Sequence, residues 1–286
     1  MNDFGPALTD DQWTKIRQIV HDEALRARVA ASFLPLYGPL PGDATTVPTD
    51  SLSYPGAAPN QRIDVDDFTP IRVATVSVNV FIRNHMLADP ELMAATIMFK
   101  RAANIVARIE DAIIFRGRNA ANTPPTPRTD TLPQVFRVTG SDFYPGLIDH
   151  APVNSLLPAG AVGPAVFAAL VRAINILETA GYCKPFACIL ADDLFAEIYT
   201  PIAASMVLPA DSIPPLLNGP LLRSSTLDPG TGLVVSLQGN PVEIVVANDI
   251  SVRYLQARED GEHVFRVSER FVLRVKDNSA VVRLGE

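Results

Sequence analysis

The chain has 286 residues, 48% of them hydrophobic and 19% charged, enough apolar content for a large core in one elaborated domain or two. Its 24 Lys and Arg against 31 Asp and Glu leave a net charge of −7 with no basic run, which argues against a mainly electrostatic binder of nucleic acid. No apolar window reaches the ~18 residues of a membrane span, and Met1-Asn2-Asp3-Phe4 has neither part of a secretory leader. A cytoplasmic protein is expected, with no membrane partner.

Thr9 is placed to cap a helix that opens with Asp10 and Asp11 at the positive end of its dipole. Trp13, Ile16, Ile19, Val20, Leu25 and Val29 give that helix an apolar face, ending near Phe33. The face either packs on the chain's own core or is shared with a partner. An irregular turn follows over Leu36-Tyr37-Gly38-Pro39-Leu40-Pro41-Gly42.

The stretch 51–83 reads as a long two-stranded excursion, because its second arm, 72–83, is β-branched and alternating. Such a ribbon is marginally stable alone and wants another surface, such as another subunit. The chain then enters its longest periodic segment, a helix expected over Asp89–Gly117. Met98, Ala102, Ile105, Ile109 and Ile113 share one face, Pro90 suits the first turn and Gly117 the stop. At about 1.5 Å per residue it spans roughly 40 Å, long enough to carry other elements.

A proline-rich connector over 119–133 and an irregular segment over 147–162 precede a helix over 164–180, a buried strand at 186–190 and a helix at 192–199. The cluster from Pro209 to Pro220 reads as loop. Five strands are expected from there on: 233–237, 242–246, 252–255, 264–267 and 271–275, with turns at Gly239-Asn240, Asp249 and Gly261. The overall class is α+β, with an α/β unit set into the chain.

Chemistry is sparse. His21, His85, His150 and His263 have no metal-ligand spacing, so neither a metal nor a catalytic centre is expected. Glu110-Asp111 sit about 100° apart on the central helix and are read as solvated or paired with Arg108 and Arg116. Cys183 and Cys188 are read as reduced core residues. No phosphate-binding glycine loop or nucleophile elbow is present.

In order along the chain, Leu8-Thr9-Asp10-Asp11-Gln12-Trp13, Tyr37-Gly38-Pro39, Glu110-Asp111-Ala112-Ile113-Ile114-Phe115-Arg116-Gly117, Lys184-Pro185-Phe186-Ala187, Asn248-Asp249-Ile250-Ser251 and Ser268-Glu269-Arg270-Phe271 resemble the encapsulins. These are bacterial nanocompartment shell proteins with the HK97 phage-capsid fold. The resemblance implies an N-terminal helix over 1–35, a linker over 36–50, an extended E-loop over 51–83, a P-domain from 84–133 and 225–286, and an inserted A-domain over 134–224. It also implies self-assembly into an icosahedral shell that encloses a cargo enzyme, ferritin-like or peroxidase-like among the options, recruited by a terminal targeting peptide. By position, Ile16, Ile19, Val20 and Phe33 would give the peptide apolar contacts, with Asp249 and Ser251 at the rim. The loop 199–214 would line a five-fold pore through Ala203, Ala204, Ser205, Met206, Val207, Leu208 and Asp211. No flavin or other cofactor is expected, since Trp13 is the only tryptophan and the base of the excursion reads Arg83-Asn84-His85-Met86. A prophage major capsid protein shares the fold and is the main rival; a bacteriocin or peptidase would need a nucleophile constellation that the sequence lacks.

Overall fold

A computed structural model describes residues 8–118, 133, 135–201 and 208–285. Helix α1 (Asp10–Ala27) begins with Thr9 as its cap, as expected, and the structure adds a reciprocal bond that makes it a capping box: the Thr9 hydroxyl accepts from the Gln12 amide, and Gln12 Oε1 accepts from the Thr9 amide at 2.9 Å. Ile16, Val20 and Ala24 turn into the core, but Leu25 is 59% exposed and lies on the other side of the helix. A single 3₁₀ turn, Ala30–Ser32, links α1 to β1 (Leu36–Tyr37).

Four short strands follow as two small ladders, β2 (Thr46–Pro48) with β5 (Pro70–Arg72) and β3 (Ser51–Ser53) with β4 (Asp64–Asp66). The next strand, β6 (Ala74–Arg83), is not the second arm of this ribbon. It sits in the main sheet, where Ala74, Val76, Val78, Val80 and Ile82 face the core. Alternation alone could not tell a free arm from a half-buried sheet strand, so the excursion is shorter than 51–83.

After α2 (Asn84–Leu87) comes the central helix α3 (Met93–Arg116), which starts four residues later than expected. Asp89 caps the turn before it, accepting from the amides of Glu91 and Met93 at 3.0 Å, and Leu92 adopts φ +52, which breaks the helix there. Its C-terminus is at Gly117, as expected.

The rest of the chain contributes β7 (Phe136–Thr139), α4 (Leu147–His150), β8 (Val153–Leu156), α5 (Gly163–Thr179), β9 (Phe186–Ala191) and α6 (Asp192–Ile198). Then come α7 (Pro209–Leu217), β10 (Leu221–Ser224), β11 (Gly232–Ser236), β12 (Val242–Ala257), β13 (Glu262–Val275) and β14 (Val281–Gly285). The proline cluster expected to be loop forms α7: Pro209 sits in the first turn, where the missing amide has no helical partner to lose, while Pro214 and Pro215 lie inside the helix and each withholds an intrahelical donor. The turn expected at Asp249 is absent too. β12 runs straight through as one strand and absorbs Asn248-Asp249 as a bulge, with register shifts between Val246 and Ser251.

Two five-stranded sheets result, ordered β1-β12-β13-β6-β7 and β10-β9-β11-β14-β8. The first carries α1 and α3 on its apolar face. In the second, Ala187, Ile189, Leu233, Val235 and Val281 belong to the same core as α3, while Cys188, Leu190, Val234 and Val282 pack with α5 and α7 in a separate core. The terminal strands therefore divide: β12 and β13 join the central helix, but β11 and β14 complete the sheet of the inserted unit. Cys188 is buried as read, whereas Cys183 is exposed in the turn before β9.

Candidate functional site

Three sequence stretches far apart in the chain converge where α1 ends. The guanidinium of Arg28 lies 2.7 Å from Glu110 Oε2 on α3, 2.5 Å from Glu269 Oε1 on β13 and 3.1 Å from Asp249 Oδ1 at the β12 bulge. Arg28, Glu110 and Glu269 are almost wholly buried; Asp249 is half exposed. One residue on, Asp111 accepts from the amides of Val29 and Ala30 at 2.8–3.1 Å. The expectation that Glu110 and Asp111 are solvated or paired with Arg108 and Arg116 is thus corrected. Glu110 holds the Arg28 side chain, Asp111 holds the backbone behind it, and Arg116 pairs with Asp228 at 2.7 Å. Their divergence around the helix is what lets adjacent acids clamp two parts of one incoming segment.

Two buried carboxyls on one guanidinium, with Asp111 buried beside them, do not all ionise cheaply in a dry interior. Burial, with the neighbouring Glu269 carboxylate next, drives Glu110 well above the usual carboxylate range. Burial pushes Glu269 up to about 7 against the pull of Arg28. Burial likewise pushes Asp111 up to about 7, against the lowering effect of its two backbone donors. Acids that titrate higher in the folded chain than unfolded, near pH 4, keep protons on folding. Their stabilising contribution is complete below about pH 4 and is lost as the pH rises through about 7. Thermal unfolding followed from pH 5 to pH 8.5 is expected to show a falling midpoint, with a shallower slope in Glu269→Gln; a flat profile would contradict the assignment.

On the outer side of this anchor lies a groove of about 450 Å³ between α1 and β12, lined by Thr14, Arg17, Gln18, Val20 and His21 from the helix and by Ile250, Ser251 and Val252 from the strand. From Asn248 onward no strand among the described residues pairs with the β12 edge opposite β13, since β1 covers only Ile244 and Val245. His21 Nδ1 stands 3.9 Å from Asp249 Oδ2, so the groove and the buried cluster share that aspartate. Leu25 continues the stripe set by Thr14, Gln18 and His21 and is the exposed apolar residue of that face.

The sequence-derived contacts fare unevenly. Val20 and Ser251 line the groove. Ile16 is 1% exposed and points into the core, so it offers no groove contact. Ile19 is half buried, and Phe33 stacks on Phe115, ring centroids 6.4 Å apart, inside the fold. Asp249 stands at the rim but is tied inward to Arg28. Reading the helix for its apolar residues selected its inner face; the exposed face is marked instead by Leu25 standing alone among polar neighbours. Of the expected pore residues, Ala203, Ala204, Ser205, Met206 and Val207 lie outside the described residues. Leu208 is the extended residue immediately before α7, and Asp211 sits in the first turn of that helix, where the dipole favours an acid, so Asp211 belongs to a helix instead of a loop. Among the described residues no group of acids, histidines and cysteines could hold a metal ion, and no helix is long and apolar enough to cross a membrane.

A sequence profile of the family described as encapsulating protein for peroxidase matches residues 3–124 and 134–272. The chain belongs to the encapsulin shell-protein family. Among relatives, the type 1 encapsulin shell protein EncA of Myxococcus xanthus is 25% identical over 97% of this chain and 93% of that one. The diheme-cytochrome-encapsulin shell fusion protein of Kuenenia stuttgartiensis is 23% identical over 97% of this chain and 73% of that one. In three dimensions the virus-like particle of Pyrococcus furiosus superposes with a TM-score of 0.70 at 13% identity, covering 95% of this chain and 98% of that one. This encapsulin has the HK97-like capsid fold that such particles share with phage capsids. Its role is that of a shell protein, and proteins of its family assemble into multimeric shells that enclose cargo.

Proposed function

We propose that this encapsulin builds a closed icosahedral compartment in the cytoplasm and that the groove between α1 and β12 receives a terminal targeting segment of its cargo enzyme. The single observation that carries the groove is the combination of a cavity, a free strand edge and an exposed leucine on one face. An extended segment can add its backbone to the β12 edge and set apolar side chains against Val20, Ile250 and Val252. Subunit contacts are supported by the ribbon 46–72, where Phe68 is 90% exposed and Ile63 73% exposed, so burying them needs a neighbour. The root of that ribbon is fixed to the main sheet: Asp50 pairs with Arg274, whose Nε also donates to Glu243 at 2.6 Å.

The test uses particles purified from the native host, with their contents weighed by mass spectrometry. Leu25→Glu and Gln18→Trp both change exposed side chains, so the shells form as in the unsubstituted protein. Each substitution is expected to cut the co-purified cargo at least about tenfold, an effect of roughly 1.4 kcal/mol or more on docking. Full loading in both variants would overturn the groove assignment.

A further inference from the structure

We propose that the outer face of the first sheet is a binding site for a small multivalent phosphate. Strand alternation sends the apolar residues of β6, β7, β12 and β13 towards α3 and leaves the opposite face to the residues between them. On that face Arg137, Arg253, Arg266 and Arg270 line one cavity of about 450 Å³. The positions between the arginines are hydroxyl or amide side chains, Ser77 and Ser268 at the centre and Asn248 at the margin. Among the described residues no acid lines this cavity, although the chain as a whole carries a net charge of −7.

The pairing register sharpens the point. Arg253 and Arg266 are direct cross-strand partners on β12 and β13, an arrangement in which like charges repel. Arg137 pairs with Ser77, which in turn pairs with Ser268, so a third guanidinium reaches the same surface from β7. The polar contacts these arginines make are with neutral acceptors. Arg266 Nε donates to Asn79 Oδ1 at 3.0 Å, and Arg270 donates to the carbonyls of Gly42 and Ala44. Four guanidinium groups with no carboxylate beside them among the described residues repel one another until an anion arrives, and their planar forks match the oxygens of a phosphoryl group.

The lining also selects among anions. It holds no aromatic ring on which a base could stack, which disfavours a nucleic-acid strand. Leu255 is its one large apolar side chain, too little for the apolar centre of a protein interface. A free polyvalent phosphate needs neither. The site lies on the opposite side of the sheet from α3 and does not depend on the groove assignment.

Titration calorimetry on the assembled protein with pyrophosphate and orthophosphate tests the proposal. Pyrophosphate is expected to bind more tightly than orthophosphate and to weaken steeply with added salt. Arg253→Gln/Arg266→Gln is expected to lower pyrophosphate affinity at least about tenfold, the loss that follows removal of even one charge-assisted hydrogen bond, with particle size unchanged. If that pair fails to fold or assemble, Arg137→Gln alone decides, since its side chain supports nothing else among the described residues and is still expected to weaken binding several-fold. Absence of pyrophosphate binding to the unsubstituted shell, equal binding in the arginine variants, or tighter binding of a 12-nucleotide single strand than of pyrophosphate would each overturn it.

Discussion

Replacing Arg28 with methionine is expected to lower stability by about 3–5 kcal/mol, measured by denaturant unfolding at pH 8, because it removes the cation from two buried acids. Among the described residues no other cation pairs with Glu110 or Glu269: both are about 1% exposed, and the guanidinium reaches both along with Asp249. The same change frees the end of α1, so the groove loses its fixed wall and cargo loading falls with stability. The triple variant Arg28→Met/Glu110→Gln/Glu269→Gln is expected to recover much of the loss, since neutral amides leave no buried carboxyl that must ionise unpaired or be held protonated at pH 8. A single-variant cost under about 1 kcal/mol, the size of a surface ion pair, would show that the cluster is not the anchor of α1.

Gly117→Ala is the second large effect, on the order of 3 kcal/mol. Gly117 ends α3 at φ +74 and ψ −175, a backbone region that side chains scarcely enter. A Cβ there would stand 2.4 Å from the Tyr144 carbonyl oxygen and 2.5 Å from the Gly146 amide nitrogen. Both obstacles are backbone, held by the reciprocal bonds of Arg118 and Tyr144 at 2.7 and 2.8 Å, so they cannot swing aside. The expected outcome is a lowered thermal midpoint and weaker docking of the segment 144–149 on the helix end. Gly160→Ala is the control, because a Cβ there meets nothing within 4 Å, although its φ of +68 still adds some strain. Equal midpoints for the two variants would contradict the packing argument.

The parts legible in the sequence are those fixed by neighbours a few residues away. The Thr9 capping box needs only Gln12, the stripe from Met98 to Ile113 needs only helical spacing, and Gly117 announces its own stop. Where tertiary pairing decides, local reading fails. Asn248-Asp249 carries turn chemistry, yet β13 holds β12 on both sides of it, and the strand bulges instead of turning. β6 alternates as a free ribbon arm would, but ten register positions on β13 claim it for the main sheet. Arg28 lies 82 residues from Glu110, 221 from Asp249 and 241 from Glu269, so no window of sequence reveals that they form one cluster. The stretches that carry the family resemblance, around Glu110, Asp249 and Glu269, are nonetheless the ones that meet there.

That convergence gives the architecture a physical logic. The buried cluster fixes the end of α1 against α3 and β13, and the fixed helix makes a groove with the open edge of β12. Asp249 belongs to both. A change in the cluster is therefore felt in the groove, whereas a change at Leu25 or Gln18 is felt in the groove alone.

Cryo-electron microscopy of cargo-loaded particles tests the account most directly. The predicted result is a closed shell with extended density lying between α1 and β12, in contact with Leu25 on one side and with Ile250 and Val252 on the other. A closed, cargo-filled shell in which that groove is bare would contradict it.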